Sequence, residues 1–522
     1  MKRLLTGLLS FGVSAGFADA AVTSVRKPEW FENAKFGIFC HWGVQCAPEH
    51  GDWYGRDMYD EKSDQFAWHR EHYGDQKEFG LKDFIPLWKA ENWNPSELAG
   101  LFKKMGATYL VAMANHHDNF DNWPSTYQPW NSAQLGPKRD IIGGWAAAAE
   151  KEGLRFGVSV HASHAWTWFE VGRETGDTLV TKADGKGKWW DGLDPQLLYR
   201  QQHEPSPGYA KGQENPGNVW NWGDKAAKPS DEFCENVRLR TMELLEKYRP
   251  DLLYFDDTIV PFNGVSDVGW RIVEDFHALN ASWHGGKDEA VIFGKLLSPE
   301  MCDKLTRNIE RGTPGDIMYP HWQTDTCIGN WHYHRDYYTE NRYRGAAEVL
   351  RLLIDIVSKN GNLLLSIPIR SDGTIDEKER EICEGVAEWM AKYRRVIFDT
   401  VPWEVCGEGP QIEKARACGQ VDFNEGQIPS ATAQDVRYLK SRNGKFVFAI
   451  ALVPPWDGPV PEFAALKGKI VGELKKMPQI KDYPAVWVGR LASSAKCQQD
   501  PATKMKSAGQ KRSPAKKGKQ VR

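Results

Sequence analysis

Several simple explanations lack their ingredients in this 522-residue chain. Basic and acidic side chains nearly cancel, 67 Lys+Arg against 70 Asp+Glu, for a net charge of −3. No global basic field is available to hold nucleic acid. Beyond residue 20, no stretch reaches the roughly 20 apolar residues that a membrane span needs. The nine cysteines are an odd number and none forms a CxxC, so a thiolate zinc site has no support. Cys406 and Cys418 stand close enough in sequence for a disulfide, although a chain this long needs no such staple. No HExxH occurs. Nucleic-acid binding and membrane insertion are therefore not expected.

What remains is a globular composition, 41% hydrophobic and 26% charged. It is rich in rings, with 23 Trp, 17 Tyr and 22 Phe. Flat apolar faces with polar edges suit amphipathic ligands such as sugars, although most single tryptophans fill cores.

The amino terminus reads as an export signal. Lys2 and Arg3 precede an apolar stretch from Leu4 to Phe17, and Ala18-Asp19-Ala20 is a small-x-small cleavage site. The expected mature chain starts near Ala21 and works in the periplasm or outside the cell.

From about 30 to 398, short apolar runs alternate with helical stripes. Phe36 to Phe39, Thr108 to Met113, Arg155 to Val160, Asp251 to Phe255 and Asn362 to Ile367 read as strands. Asn94-Pro95-Ser96-Glu97 is a capped helix start, followed by Leu98, Leu101, Phe102 and Met105 at helical spacing. Strands alternating with helices predict a parallel sheet, and their number favours a closed (β/α) barrel over residues 21–398. Insertions at 44–92 and 167–230 would lie over its active face. Residues 399–498 read as a small β-rich domain. Residues 499–522 read as a disordered basic tail.

Polar residues recur at one place in the repeated unit, just after a strand. They are His41, the run Asn115-His116-His117-Asp118, His161 with His164, and Asp256-Asp257. In a parallel barrel all strand C-terminal ends meet on one face, and that face carries chemistry. A metal site could draw on the histidines and Asp256, but adjacent His on a strand point to opposite faces. The favoured reading is carboxylate chemistry on a sugar. There Asp256, aimed by a buried strand, serves as nucleophile, and a second carboxyl about 5–5.5 Å away is the acid/base.

These residues fall in an order that resembles glycoside hydrolase family 29, the α-L-fucosidases. The resemblance runs through Trp30 to Gly43, Gly51-Asp52-Trp53-Tyr54, and His116-His117-Asp118 with Phe120 and Trp123. It continues through Pro250 to Asp256, Ser358 to Leu365 and Gly407 to Pro410, so it covers about 28 to 455. It implies a TIM-like (β/α) barrel with a C-terminal β-sandwich domain, and retaining exo-hydrolysis of terminal α-L-fucose without a cofactor. The implied partner is a fucosylated oligosaccharide or polysaccharide, and a homo-oligomer is left open.

Carried onto this chain, Asp256 is the nucleophile. His41, His116, His117, His161, Asp52 and Trp53 contact the sugar, and so does Trp322. The sequence departs from the pattern at Asn119, where Gly is usual after His-His-Asp, and at Asp52, where Glu is common. A third departure is Trp322-Gln323, where some members carry the acid/base in a Trp-Glu pair. Gln323 cannot donate a proton as a general acid. Glu310 is the preferred acid/base, with Glu300 and Glu289 as runners-up and Arg311 as a sugar or carboxylate ligand. The Gln323 departure also motivates a second reading, a catalytically silent glycan-binding protein on the same scaffold. A third reading is a glycosidase with shifted specificity, toward sulfated fucose or galactose, and paired basic residues near the site, such as Arg155 or Arg173, would favour sulfate. A metal hydrolase is the last alternative.

Overall fold

The computed structural model describes residues 26–207, 222–223, 226–454 and 462–492. The expected export segment, the basic tail and Cys497 lie outside the described residues.

Eight parallel strands close a barrel in chain order. They are β1 (Phe36–Cys40), β2 (Tyr109–Met113), β3 (Arg155–Val160), β4 (Leu252–Phe255), β5 (Val291–Gly294), β6 (Thr306–Glu310), β7 (Trp322–Cys327) and β8 (Gly361–Ser366). Pairing of β8 with β1, Leu363 against Phe36, closes the ring. The main outer helices are α1 (Pro95–Lys104), α2 (Ile141–Glu152), α3 (Asp231–Tyr248), α4 (Val268–Trp283), α5 (Ala346–Ser358) and α6 (Glu377–Phe398). Helix α1 starts where the side chain of Asn94 accepts from the N–H of Glu97, and it buries Leu98, Leu101 and Phe102. Each such side chain contributes about 1.5–3 kcal/mol on burial. Asp140 caps α2 in the same way, and Gly153, at φ 62°, ends it.

The barrel interior is plugged from below. Phe31 packs edge-on against Tyr109, Phe293 and His321. Gly37 on β1 leaves room for the Tyr109 ring, which a β-carbon there would meet at 2.3 Å. With the lower end filled, the open end is the one formed by the strand C-termini. The insertions at 44–92 and 167–230 follow β1 and β3, and so leave from that end.

After α6 comes a five-stranded antiparallel sheet in the order β12-β13-β11-β10-β9. Its strands are β9 (Thr400–Glu408), β10 (Val436–Ser441), β11 (Phe446–Ala451), β12 (Ile470–Lys476) and β13 (Ala485–Leu491). Helix α7 (Pro410–Cys418) follows β9. Buried Arg437 on β10 pairs with Asp355 on α5 at 2.5 Å and fastens the sheet to the barrel. The eight described cysteines are all free thiols. The Cys406–Cys418 disulfide therefore does not form: Cys406 donates to Asp316 and Cys418 to Gln427.

Candidate active site

Asp256 directly follows β4, and Glu310 is the last residue of β6. Between them stands Lys295, the first residue after β5. Its ammonium lies 2.5 Å from Oδ1 of Asp256 and 2.6 Å from Oε2 of Glu310. One cation touching both confines the two oxygens to roughly 5 Å of each other, the spacing of a retaining glycosidase pair. The other oxygen of Asp256, Oδ2, faces Nε2 of His117 at 3.1 Å and Nδ1 of His161 at 3.2 Å. Burial alone would raise the pKa of Asp256. The Lys295 charge and the two imidazoles outweigh it and hold the carboxyl well below its ordinary range. The Asp256 carboxylate is thus ionised at neutral pH, as a nucleophile must be.

The histidines form a buried wall beside this pair. Burial pushes His41 and His116 well below the usual imidazole value, and His117 to about 4. They are neutral near pH 7, able to exchange hydrogen bonds with hydroxyls. The tautomer of His116 follows from its neighbour. Gln45 accepts from the N–H of Gly55 through Oε1, so its Nε2 donates to Nδ1 of His116 at 2.6 Å. That leaves Nε2–H of His116 free to donate. His161 takes the hydroxyl of Ser159 at 2.9 Å on its second nitrogen.

The remaining expected residues fall on both sides of the barrel. Trp53, with φ 58°, packs on Trp168, whose ring lies 4.5 Å from that of His117. Asp52 accepts the main-chain N–H of His332 at 2.7 Å and so orders the loop after β7. Arg311 lies over the ring of Trp331 and donates to Sγ of Cys327 at 3.0 Å.

Trp322 is a correction. It is the first residue of β7, fully buried at the opposite end of the barrel, and donates to the carbonyl of Lys359. It cannot touch a sugar at the strand C-termini. Glu289 lies at that same far end, paired with Arg155 and Lys287. Glu300, exposed and bonded to Ser298, precedes β6. Neither replaces Glu310. Arg155 is likewise remote, and Arg173 donates to Gln201 and His203. Gln323 is buried inside the barrel, where it accepts from Tyr109 at 2.7 Å and donates to Asn308 at 3.0 Å. The departure at Gln323 therefore lies in the interior scaffold below the carboxylate pair, and the silent-protein reading loses its motive.

Three residues of the site are absent from the sequence-based set. Lys295 is the first. Trp331 and His332 follow β7, with rings 4.8 and 5.9 Å from that of His41. Neither ring nitrogen of buried His332 has a hydrogen-bond partner among the described residues. Lys295 directly follows the apolar strand β5, while Trp331 and His332 lie on the loop that leaves β7, a strand whose polar sequence hides it.

Among the described residues, His116, His117, His161 and Asp256 bring potential metal-ligand atoms within 4.8 Å of one another. Lys295 already places a positive charge on that carboxylate, and a second cation beside it would be repelled. The set fits hydroxyl recognition better.

Comparisons with known proteins bear on the family and the fold. A family model described as Alpha-L-fucosidase matches residues 18–395. Human tissue alpha-L-fucosidase is 28% identical over 393 residues, covering 72% of this chain and 70% of that protein. The rat protein is 27% identical over 394 residues, covering 73% and 72%. The solved Thermotoga maritima alpha-fucosidase superposes with a TM-score of 0.61 at 25% identity, over 90% of this chain and 97% of that one. With the family model spanning well over half of its length and the fold in agreement, the chain belongs to the α-L-fucosidases of glycoside hydrolase family 29, enzymes that act on fucosylated glycans.

Proposed function

We propose that the chain is an exported, retaining exo-α-L-fucosidase that works by double displacement. The observation that carries this reading is the ammonium of Lys295 between Asp256 and Glu310. It supports a carboxylate pair at nucleophile–acid/base spacing. In the first step a carboxylate oxygen of Asp256 bonds to the anomeric carbon as the glycosidic bond breaks. Glu310, carrying a proton, gives it to the departing oxygen. In the second, Glu310 takes a proton from water, the resulting hydroxide attacks the anomeric carbon, and Asp256 leaves as carboxylate. The configuration is inverted twice and so retained. His41, His116 and His332 offer ring nitrogens to the fucose hydroxyls. A sugar lacking a matching hydroxyl would leave buried polar groups unpaired, and that is costly. Export rests on the pattern of residues 1–20.

The test compares the unmutated mature chain with Asp256→Asn and Glu310→Gln on an aryl α-L-fucoside. Asp256→Asn loses turnover. Glu310→Gln loses it too and regains it with azide, giving fucosyl azide of retained configuration by NMR. A normal Glu310→Gln variant would move the acid/base role elsewhere. An inverted first product would overturn double displacement.

A further inference from the structure

The carboxylate pair and the histidine wall account for the fucose side of the cleavage point and leave the departing sugar without a contact. A loop of the C-terminal domain supplies one. Residues 421–425, between α7 and β10, lie along the C-terminal end of β6. The N–H of Phe423 donates to the carbonyl of Glu310 at 2.8 Å, and that of Glu425 to the carbonyl of Arg311 at 3.1 Å. Asp422 pairs with Arg307 at 3.0 Å. Buried Asn424 accepts from the N–H of Thr313 at 3.1 Å and donates to its carbonyl at 2.9 Å. The backbone of the loop is thus fixed to the strand that bears the acid/base.

Phe423 itself does nothing for this anchoring except through its backbone. Its side chain is 57% exposed, and its φ is +52°, a conformation natural to glycine and costly for a residue with a β-carbon. Leu296, next to the Lys295 that pairs with the same carboxyl, is 55% exposed. A strained, exposed aromatic one hydrogen bond from the acid/base has a use if a ligand covers it. Glu310 protonates the leaving oxygen, so the sugar attached to that oxygen must lie against this rim.

We propose that Phe423, with Leu296, forms the platform for the leaving sugar, and that it takes a pyranose through the apolar C–H face of its ring. This rests on the retaining α-L-fucosidase reading above. The domain after the barrel then sets preference for the aglycone while the barrel alone reads fucose.

The test uses two substrates. α-L-Fucosyl fluoride carries no leaving sugar, and the best-hydrolysed of the α1,2-, α1,3-, α1,4- and α1,6-linked fucosyl disaccharides carries one. Phe423→Gly removes the ring and keeps the positive φ without strain. Phe423→Trp keeps a platform. For Phe423→Gly, kcat/KM on the disaccharide falls about tenfold, mainly through KM, while the fluoride is hydrolysed as before. Phe423→Trp stays near the unmutated enzyme on both. A disaccharide loss carried by kcat with KM unchanged would make Phe423 a support for Glu310, whose acid the fluoride does not need, and would overturn the proposal, as would equal losses on the two substrates or an unchanged disaccharide rate. An unmutated chain that leaves both substrates intact would instead remove the underlying fucosidase reading, and the platform with it.

Discussion

The ammonium of Lys295 stands 2.5 Å from Oδ1 of Asp256, and its charge is the main force that holds that carboxyl ionised against burial. Lys295→Met keeps most of the stem and removes the charge. The pKa of Asp256 then rises, so the acid limb of the kcat/KM profile moves to higher pH. The loss at the optimum is about 10²–10³-fold, as for removing one preorganised electrostatic group. The pH–rate profile of an aryl α-L-fucoside checks both, and an unmoved acid limb would count against the role.

Gln323 donates its amide to Asn308 and accepts from Tyr109. Gln323→Glu therefore restores no acid/base. It replaces a donor with a carboxylate in the closed interior and costs about 1–3 kcal/mol of stability. Denaturant unfolding reads the loss, while activity per folded molecule stays at the parent level.

Gly312 lies two residues beyond β6, where the C-terminal loop packs against it. A β-carbon there would lie 1.9 Å from the carbonyl oxygen of Val421. Backbone atoms cannot move aside cheaply, so Gly312→Ala costs about 1–3 kcal/mol or shifts the loop. The melting temperature falls, and kcat on natural fucosides falls with it.

Asn119 occupies the left-handed region at φ 64°. Its amide donates to the carbonyls of Leu197 and Leu198 at 3.0 Å and accepts from buried Arg240 at 2.6 Å. The position where the family usually has Gly thus keeps the backbone shape and gains a clamp on the long insertion. Asn119→Ala loses both clamp and conformational ease. Asn119→Gly loses only the clamp and is the milder of the two. Thermal unfolding of the pair separates the two contributions, with the alanine variant about 1 kcal/mol the weaker.

His321, below the barrel, is held at about 3 by burial and by the nearby Lys35 charge. In the unfolded chain it takes a proton near 6.5. As pH falls from about 6.5 toward 3, the unfolded state binds a proton that the folded state refuses, so folding stability drops. His321→Gln removes this contribution, and the acid-induced fall in melting temperature between pH 7 and 5 shrinks by a few degrees. Asp325, pushed up to about 7 by burial and by Glu310, acts with the opposite sign. It is present in both proteins and cancels from the comparison.

The strands legible in the sequence are those with apolar runs: β1, β2, β3, β4 and β8. Strand β5, Val-Ile-Phe-Gly, is a four-residue apolar run no shorter than β4 and as readable as it. Strands β6 and β7 read Thr-Arg-Asn-Ile-Glu and Trp-Gln-Thr-Asp-Thr-Cys. Their inward positions carry Asn308, Gln323 and Asp325, joined to the hydroxyls of Tyr109 and Tyr254 in an interior polar network. Hydrophobic patterning cannot reveal a strand whose buried face is polar. Trp331 and His332 are hidden for this reason, since a strand-end rule needs the strand; Lys295 directly follows the apolar run of β5 and lies within reach of the same rule.

Asp256, His41, His116, His117 and His161 were legible because their strands were. Glu310 was reached through the family resemblance and not through periodicity. The Trp322-Gln323 motif carries no mark of its register in the strand. It begins β7, whereas the residues that face the site end their strands.

The thiols have a consequence for how the molecule lives. Seven of the eight described cysteines are buried, and burial raises Cys46, Cys327 and Cys406 to about 12. A thiol held there forms almost no thiolate, and thiolate is the species that exchanges or oxidises. The buried thiols of the finished fold are therefore poor partners for exchange, and among the described residues half-buried Cys418 is the sulfur most open to it.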